Sequence, residues 1–307
     1  MNTTFWGPSG WLFLHSICNI YPEKPTNADK LLIRDFMLLV NDVLPCKYCR
    51  ASFTKYSKSL NIIEYCDSNE KIQEWMYKIH NKVNGKLRRQ GFCHIENPSF
   101  ESVLQKYNTL IKKYHTEYGN GYNYDIVNYI CELGLDFLGS IIFNYQGYFV
   151  NCHTGDEKVK IISVYHKFFN IIIPVIKQFT KLSDSNKNKT KTKIKTKTKK
   201  LKSINGIPSK SKRCKFNIRF LLQQNEPYTK LKMWFYNCSD FSVNKHFKTY
   251  EDYESHFNKH IVSTCNTPIR NNIKSCRKLL VKHTKTDKHT KTDKHTKTDK
   301  HTKNNIL

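Results

Sequence analysis

Two cysteines one helical turn apart, Cys46 and Cys49 in the stretch Leu44-Pro45-Cys46-Lys47-Tyr48-Cys49-Arg50, are the residues whose types and spacing are best able to do chemistry. Pro45 precedes the pair and sets it at the start of a helix, where backbone amides and the nearby charges of Lys47 and Arg50 favour a thiolate. The geometry suits a reactive disulfide. The same spacing also serves zinc knuckles and haem attachment, so the pair alone leaves all three chemistries open.

Three further helices are predicted around it. Pro8 and Ser9 start a helix that carries Trp11, Leu14, His15 and Cys18 at three- and four-residue spacing, with Trp11 and His15 on one face. Read alone, that is an amphipathic helix with a core tryptophan and a satisfied histidine. Tyr21-Pro22-Glu23-Lys24-Pro25 ends it. Leu31, Leu32, Phe36, Leu39, Val40 and Val43 make a second amphipathic helix over Asn27 to Val43, stopped by Pro45. The Cys-x-x-Cys turn leads into a third over Arg50 to Leu60. A fourth runs from Glu70 to Leu87, with Ile72, Trp75, Met76, Ile79, Val83 and Leu87 as its stripe and His80, Asn81 and Asn84 beside them. Four such helices with short connections predict a bundle, whose interior is a usual place for a cofactor.

Composition sets the outer bounds. The chain has 307 residues, 38% hydrophobic and 13% aromatic, enough for a real core, and a formal net charge of +27. Between Lys181 and Arg213 stand 13 Lys or Arg against one Asp, and between Val281 and Lys303 eight Lys against three Asp, so the other 251 residues hold +10. Most of the basicity therefore lies in segments too polar to order themselves, the Lys/Thr-rich insertion 181–211 and the His-Thr-Lys-Thr-Asp-Lys repeat of the tail. Those two segments are where nucleic acid or another acidic surface would attach. Eleven cysteines with no N-terminal targeting signal expected argue against a secreted disulfide scaffold. The apolar run Phe168 to Phe179, interrupted by Asn170 and Pro174, reads as too short to span a bilayer, so no membrane partner is expected.

Trp6-Gly7-Pro8-x-x-Trp11-x-x-Leu14-His15, then Pro45-Cys46-x-x-Cys49-Arg50, then Trp75-x-x-x-Ile79-His80-Asn81-x-Val83-Asn84-x-x-Leu87 resembles the Erv/ALR family of FAD-linked sulfhydryl oxidases, over roughly the first 110 residues. With its long unrelated extension the chain is similar to the family's members in giant cytoplasmic DNA viruses. The resemblance implies an FAD-binding four- or five-helix bundle over 1–115, and the residues beyond it keep the expected fold all-α: Asp125 to Phe143 and Lys158 to Phe179 read as apolar, aromatic helical stretches of a mostly helical domain over 122–280 that the insertion interrupts, followed by a disordered tail over 281–307. It implies a thiol oxidase that passes electrons from protein dithiols, through Cys46 and Cys49, to FAD and then to O2, giving H2O2. Cys46 is then the outer, interchange cysteine and Cys49 the flavin-proximal one. Cofactor contacts fall on Trp6, Trp11, His15, Trp75, His80, Asn81, Val83 and Asn84. Arg89 takes the phosphate role, since Arg88-Arg89 stands where the family usually places Gly-Lys.

The same resemblance implies a cytoplasmic setting, in the infected host or the virion, with protein dithiols or a thioredoxin-like carrier as partners and a homodimer as the assembly. It also leaves a gap. Family members commonly carry a second cysteine pair on an arm, whereas Met1 to Phe5 alone precede the first motif here. Cys66 and Cys93 flank the fourth helix and Cys131 and Cys152 bracket a later one, and each is a shuttle thiol or a buried reduced thiol. No metal site is assigned, although His256-x-x-x-His260 puts two imidazoles on one helical face. The competing classes are an inactive helical scaffold and a basic nucleic-acid-associated protein.

Overall fold

The helical periodicities become helices wherever the chain is described. The computed structural model describes residues 3–91, 96–118, 125–150, 154–185 and 227–260. They form α1 (Thr3–Asn19), α2 (Asn27–Val43), α3 (Lys47–Ser59), a single 3-10 turn (Ile62–Tyr65), α4 (Asn69–Arg89), α5 (Phe100–Tyr118), α6 (Ile126–Leu133), α7 (Leu135–Val150), α8 (Gly155–Ser185), α9 (Pro227–Asn237), α10 (Val243–His246) and α11 (Tyr250–Asn258). No strand occurs among the described residues. The fold is all-α, as expected. Gly119-Asn120-Gly121-Tyr122, Cys93, Cys152, most of the basic insertion and the repeat tail lie outside the described residues.

Local chemistry starts these helices. Thr26 and Asp29 make a capping box at α2: the Thr26 backbone N–H donates to Asp29 Oδ2 at 2.8 Å, and the Asp29 N–H donates to Thr26 Oγ1 at 3.2 Å. Asp29 is fully buried and also accepts from Gln178 Nε2 at 3.2 Å, so one carboxylate both caps α2 and ties it to α8. Ser68 caps α4, Asp125 caps α6, and Thr249 with Asp252 repeats the capping box at α11.

Helix α1 is the centre of the packing. It touches α4 and α5 on one side and α6 and α7 on the other, while α2 lies along α8. That placement explains why α1 is apolar nearly all round, since Phe13, Leu14, Ile17 and Cys18 are all buried. Ser9 Oγ donates to the Leu133 carbonyl at 2.9 Å and fixes α1 against the end of α6. Close approach is secured by Gly134, where a Cβ would stand 2.6 Å from the Phe13 ring.

Two elements differ from their predicted form. Asp125 to Phe143 is not one helix but two, α6 and α7, bent by 67° at Gly134, whose N–H closes α6 on the Ile130 carbonyl. The helix that carries Phe168 to Phe179 is longer than that apolar run. Its segment Gly155–Thr180 is long and apolar enough, by length and composition, to cross a membrane. In this fold it acts as a core helix: Phe168, Phe169, Ile172, Val175, Ile176 and Phe179 are buried. Around it Phe169, Trp234, Phe235 and Phe241 form an aromatic cluster with ring centroids 5.1–6.1 Å apart. The described residues all belong to one compact unit, Met1–Val262.

Candidate active site

Cys46 occupies the position before the first turn of α3, with extended backbone angles of −115° and 123° and no side-chain cap. Its carbonyl accepts from the Cys49 and Arg50 N–H groups at 3.0 and 2.9 Å, which closes the first turn with both sulfur-bearing residues on it. Cys46 is buried and Cys49 half-buried. Arg50 does not extend free into solvent: its Nη1 donates to the Leu44 carbonyl at 2.6 Å, which holds the Leu44-Pro45 corner shut. Burial pushes the neighbouring Asp42 carboxyl up, against the opposing pull of Lys160 and Arg50.

Helices α1, α4 and α5 bring a second group together. The Trp11 indole lies on the His80 imidazole, with centroids 3.8 Å apart and planes at 10°. His15 Nε2 and His80 Nδ1 are 3.1 Å apart and share one hydrogen bond, so one ring donates and the other accepts. On its far side His15 stacks on Tyr107 at 4.5 Å and 9°, and Lys106 Nζ sits 5.4 Å over the Tyr107 ring. Burial is the first cause that lowers His15 to about 3, with His80 and Lys106 adding to it; burial and then Lys106 bring His80 down to about 4. Both imidazoles are neutral at physiological pH.

The other residues named from the sequence divide over the two flanks of α4. Asn84 Nδ2 and Arg88 Nη1 both donate to Asn97 Oδ1, at 3.1 and 3.0 Å, on the His80 side, where Val83 is half-buried. Asn81 and Arg89 face a groove of about 520 Å³ between α3 and α4, lined also by Tyr56, Leu60, Lys78, Lys82 and Gly85. Trp75 is a core residue: it donates from Nε1 to the Leu60 carbonyl at 2.8 Å and meets Phe53 edge-on at 6.3 Å. Trp6 is buried against Phe137 at 5.9 Å, and its Nε1 has no partner among the described residues.

Three contributors were not named from the sequence: Tyr107, Asn97 and Lys86, whose Nζ donates to Ser52 Oγ at 2.7 Å and bridges α4 to α3 one turn beyond Cys49. The signal for Lys86 was the Gly85-Lys86 pair inside the helix. For Tyr107 it was the stripe Tyr107, Ile111 and Tyr114, all buried. Asn97, in the turn before α5, carried none.

The histidines of the C-terminal helices are engaged elsewhere. His256 Nε2 is 3.2 Å from Asp136, His246 Nε2 is 3.1 Å from Glu132, and His260 stacks on Phe5 at 3.7 Å. Among the described residues no three His, Cys, Asp or Glu side chains are placed to share a metal ion.

Comparison with known proteins bears on the same segment. The model of the Erv1/Alr family matches residues 8–104. The mitochondrial FAD-linked sulfhydryl oxidase ERV1 of Saccharomyces cerevisiae is 36% identical over 86 residues, 28% of this chain and 44% of that protein. A probable FAD-linked sulfhydryl oxidase of Acanthamoeba polyphaga mimivirus is 35% identical over 85 residues, 27% of this chain and 59% of that one. The FAD-linked sulfhydryl oxidase of an African swine fever virus isolate is 29% identical over 106 residues, 33% of this chain and 84% of its own. The chain thus spans about half the length of the yeast and mimivirus proteins. Residues 8–104, which hold the Cys-x-x-Cys turn and the Trp11–His15–His80 cluster, are an Erv1/Alr family domain.

Proposed function

We propose that this chain is an FAD-dependent thiol oxidase that forms disulfides in proteins made in a reducing cytoplasm. The observation that carries the reading is the Trp11–His80 stack with its neutral His15–His80 pair, on α1 and α4, the second of which packs against the helix that Cys46 leads into. An isoalloxazine or adenine ring needs flat aromatic partners and uncharged hydrogen-bonding groups, and its pyrophosphate needs a cation. Trp11, His15, Tyr107 and His80 meet the first need. Val83, Asn84 and Arg88 lie on the same flank of α4, with Arg88 as the phosphate cation. Trp6 and Trp75 brace the helices that carry these groups, and Asn81 and Arg89 are assigned to the groove.

The redox step belongs to the two cysteines. A substrate thiolate attacks the Cys46 sulfur of the Cys46–Cys49 disulfide, the S–S bond breaks, and Cys49 leaves as a thiolate. The second substrate thiol then attacks the mixed disulfide and releases Cys46 as a thiolate. The substrate leaves oxidised by two electrons, and the cysteine pair holds them. When bound, FAD supplies a two-electron acceptor that O2 can reoxidise, with H2O2 as product. Protein dithiols, presented directly or by a thioredoxin-like carrier, are the substrates.

Purified protein is expected to be yellow, with flavin absorbance, and to consume oxygen with dithiothreitol. Cys49→Ser is expected to abolish that turnover and keep the flavin. A colourless protein that takes up no FAD on reconstitution would overturn the proposal.

A further inference from the structure

The groove between α3 and α4 is set apart by its charge. Residues 47–60 carry Lys47, Arg50, Lys55 and Lys58, residues 75–91 carry Lys78, Lys82, Lys86, Arg88 and Arg89, and neither stretch has an acidic residue. Helix α4 also carries Glu70 and Glu74 in its first two turns, Glu74 pairs with Lys78 at 2.7 Å, and Arg88 lies on the other flank against Asn97, so the cations that line the groove itself are Lys78, Lys82 and Arg89. The groove is not featureless. Tyr56 and Leu60 give it an apolar wall, and Lys82 and Arg89 stand on the opposite helix.

Its direction matters as much as its sign. Cys49, Tyr56 and Leu60 recur at seven and four residues, so the groove wall and the second cysteine share one face of α3. Lys86 and Ser52 bridge the two helices midway between. A chain seated along the groove therefore runs towards the redox turn.

We infer that this groove docks an acidic polypeptide segment that flanks the cysteines of the substrate protein; the substrate part of this inference rests on the oxidase reading above. Complementary charge at such a surface raises encounter rate and selects partners more than it adds affinity. A polypeptide fits better than single-stranded nucleic acid, because strand-binding platforms stack successive bases on several aromatic rings, and this groove has one, Tyr56.

The test uses the full chain loaded with FAD, and a Lys78→Glu/Lys82→Glu variant checked for unchanged helicity. Three labelled probes are titrated by fluorescence anisotropy: a Glu-flanked Ser-x-x-Ser peptide, its Lys-flanked counterpart and a single-stranded oligonucleotide. The Glu peptide is expected to bind more tightly than the Lys peptide. Charge reversal is expected to weaken the Glu peptide by about tenfold at low salt, to spare the oligonucleotide, and to matter much less at about 0.5 M salt, where charges are screened beyond ~3–4 Å. Equal affinity for the two peptides, or no loss in the variant, would overturn the inference, and so would a loss for the oligonucleotide as large as for the Glu peptide. Dithiothreitol oxidation is measured alongside. It should be equal in both proteins, and its absence from both would sink the oxidase reading while the binding result stood separately.

Discussion

Trp11 and His80 are stacked face to face, 3.8 Å between centroids, although 69 positions separate them along the chain. That contact joins α1 to α4 at the point where the two histidines meet, and under the proposed function it would give the cofactor one aromatic wall. Aromatic contacts of this kind contribute about 0.5–1.5 kcal/mol beyond their buried area. Trp11→Ala is expected to raise the FAD dissociation constant by about tenfold or more, and Trp11→Phe by less. Flavin absorbance retained after dialysis, with helicity followed by circular dichroism, checks both.

The neutral histidine pair makes the protein sensitive to acid. A histidine whose folded pKa is depressed takes up its proton more readily when unfolded. Between the ordinary value of 6.5 and the folded values of about 3 for His15 and about 4 for His80, the unfolded chain therefore holds more protons. Stability is complete above that window and is lost as pH falls through it, by up to about 1.4 kcal/mol per pH unit for each ring. Urea midpoints measured at several pH values should fall steeply below about pH 6. His15→Gln, which removes one titrating ring, should flatten that slope whatever it does to the stability at neutral pH.

Much of this arrangement could be read from the sequence, and the parts that could not have physical reasons. The stripe of α4 put Ile72, Trp75, Met76 and Ile79 on one apolar face, and all four are buried. The break at Gly134 was hidden, because a single glycine inside an apolar run is as compatible with a continuous helix as with a bend. The two flanks of α4 were hidden for another reason. His80 and Asn81 are neighbours in sequence but 100° apart on a helix, and which flank meets α5 and which meets α3 depends on packing partners far along the chain. For α1 the signal stood in the sequence beside the Trp11–His15 face: apolar residues on every face mark a helix buried between two layers.

Asp29 is expected to matter more than its place at a helix start suggests. Its carboxylate accepts from the Thr26 N–H and from Gln178 Nε2, and it is fully buried. Asp29→Ala removes the N3 half of a capping box and leaves the Gln178 amide without that acceptor. The combined loss should be about 1–3 kcal/mol. A fall in the urea midpoint with unchanged slope checks it, and Gln178→Ala should cost less, since the cap survives.

Gly139 and Gly85 should respond in opposite directions to the same substitution. Each lies inside a helix, where replacing glycine by alanine ordinarily stabilises by about 0.5–1 kcal/mol. At Gly85 the new Cβ would meet the end of the Arg89 side chain at 3.6 Å, an ordinary contact with a flexible group. Gly85→Ala should therefore raise stability by about that amount. At Gly139 the Cβ would stand 2.1 Å from Phe257, whose ring is fully buried between Phe143 at 5.0 Å and Tyr253 at 5.4 Å. The ring cannot move aside without displacing both neighbours, and overpacking of this kind costs about 1–3 kcal/mol, more than the propensity gain. Gly139→Ala should thus destabilise, and Phe257→Leu in the same chain should recover part of the loss by vacating the space. Thermal midpoints of the three variants decide the matter: if Gly139→Ala stabilised as Gly85→Ala does, the close seating of α11 on α7 would be wrong.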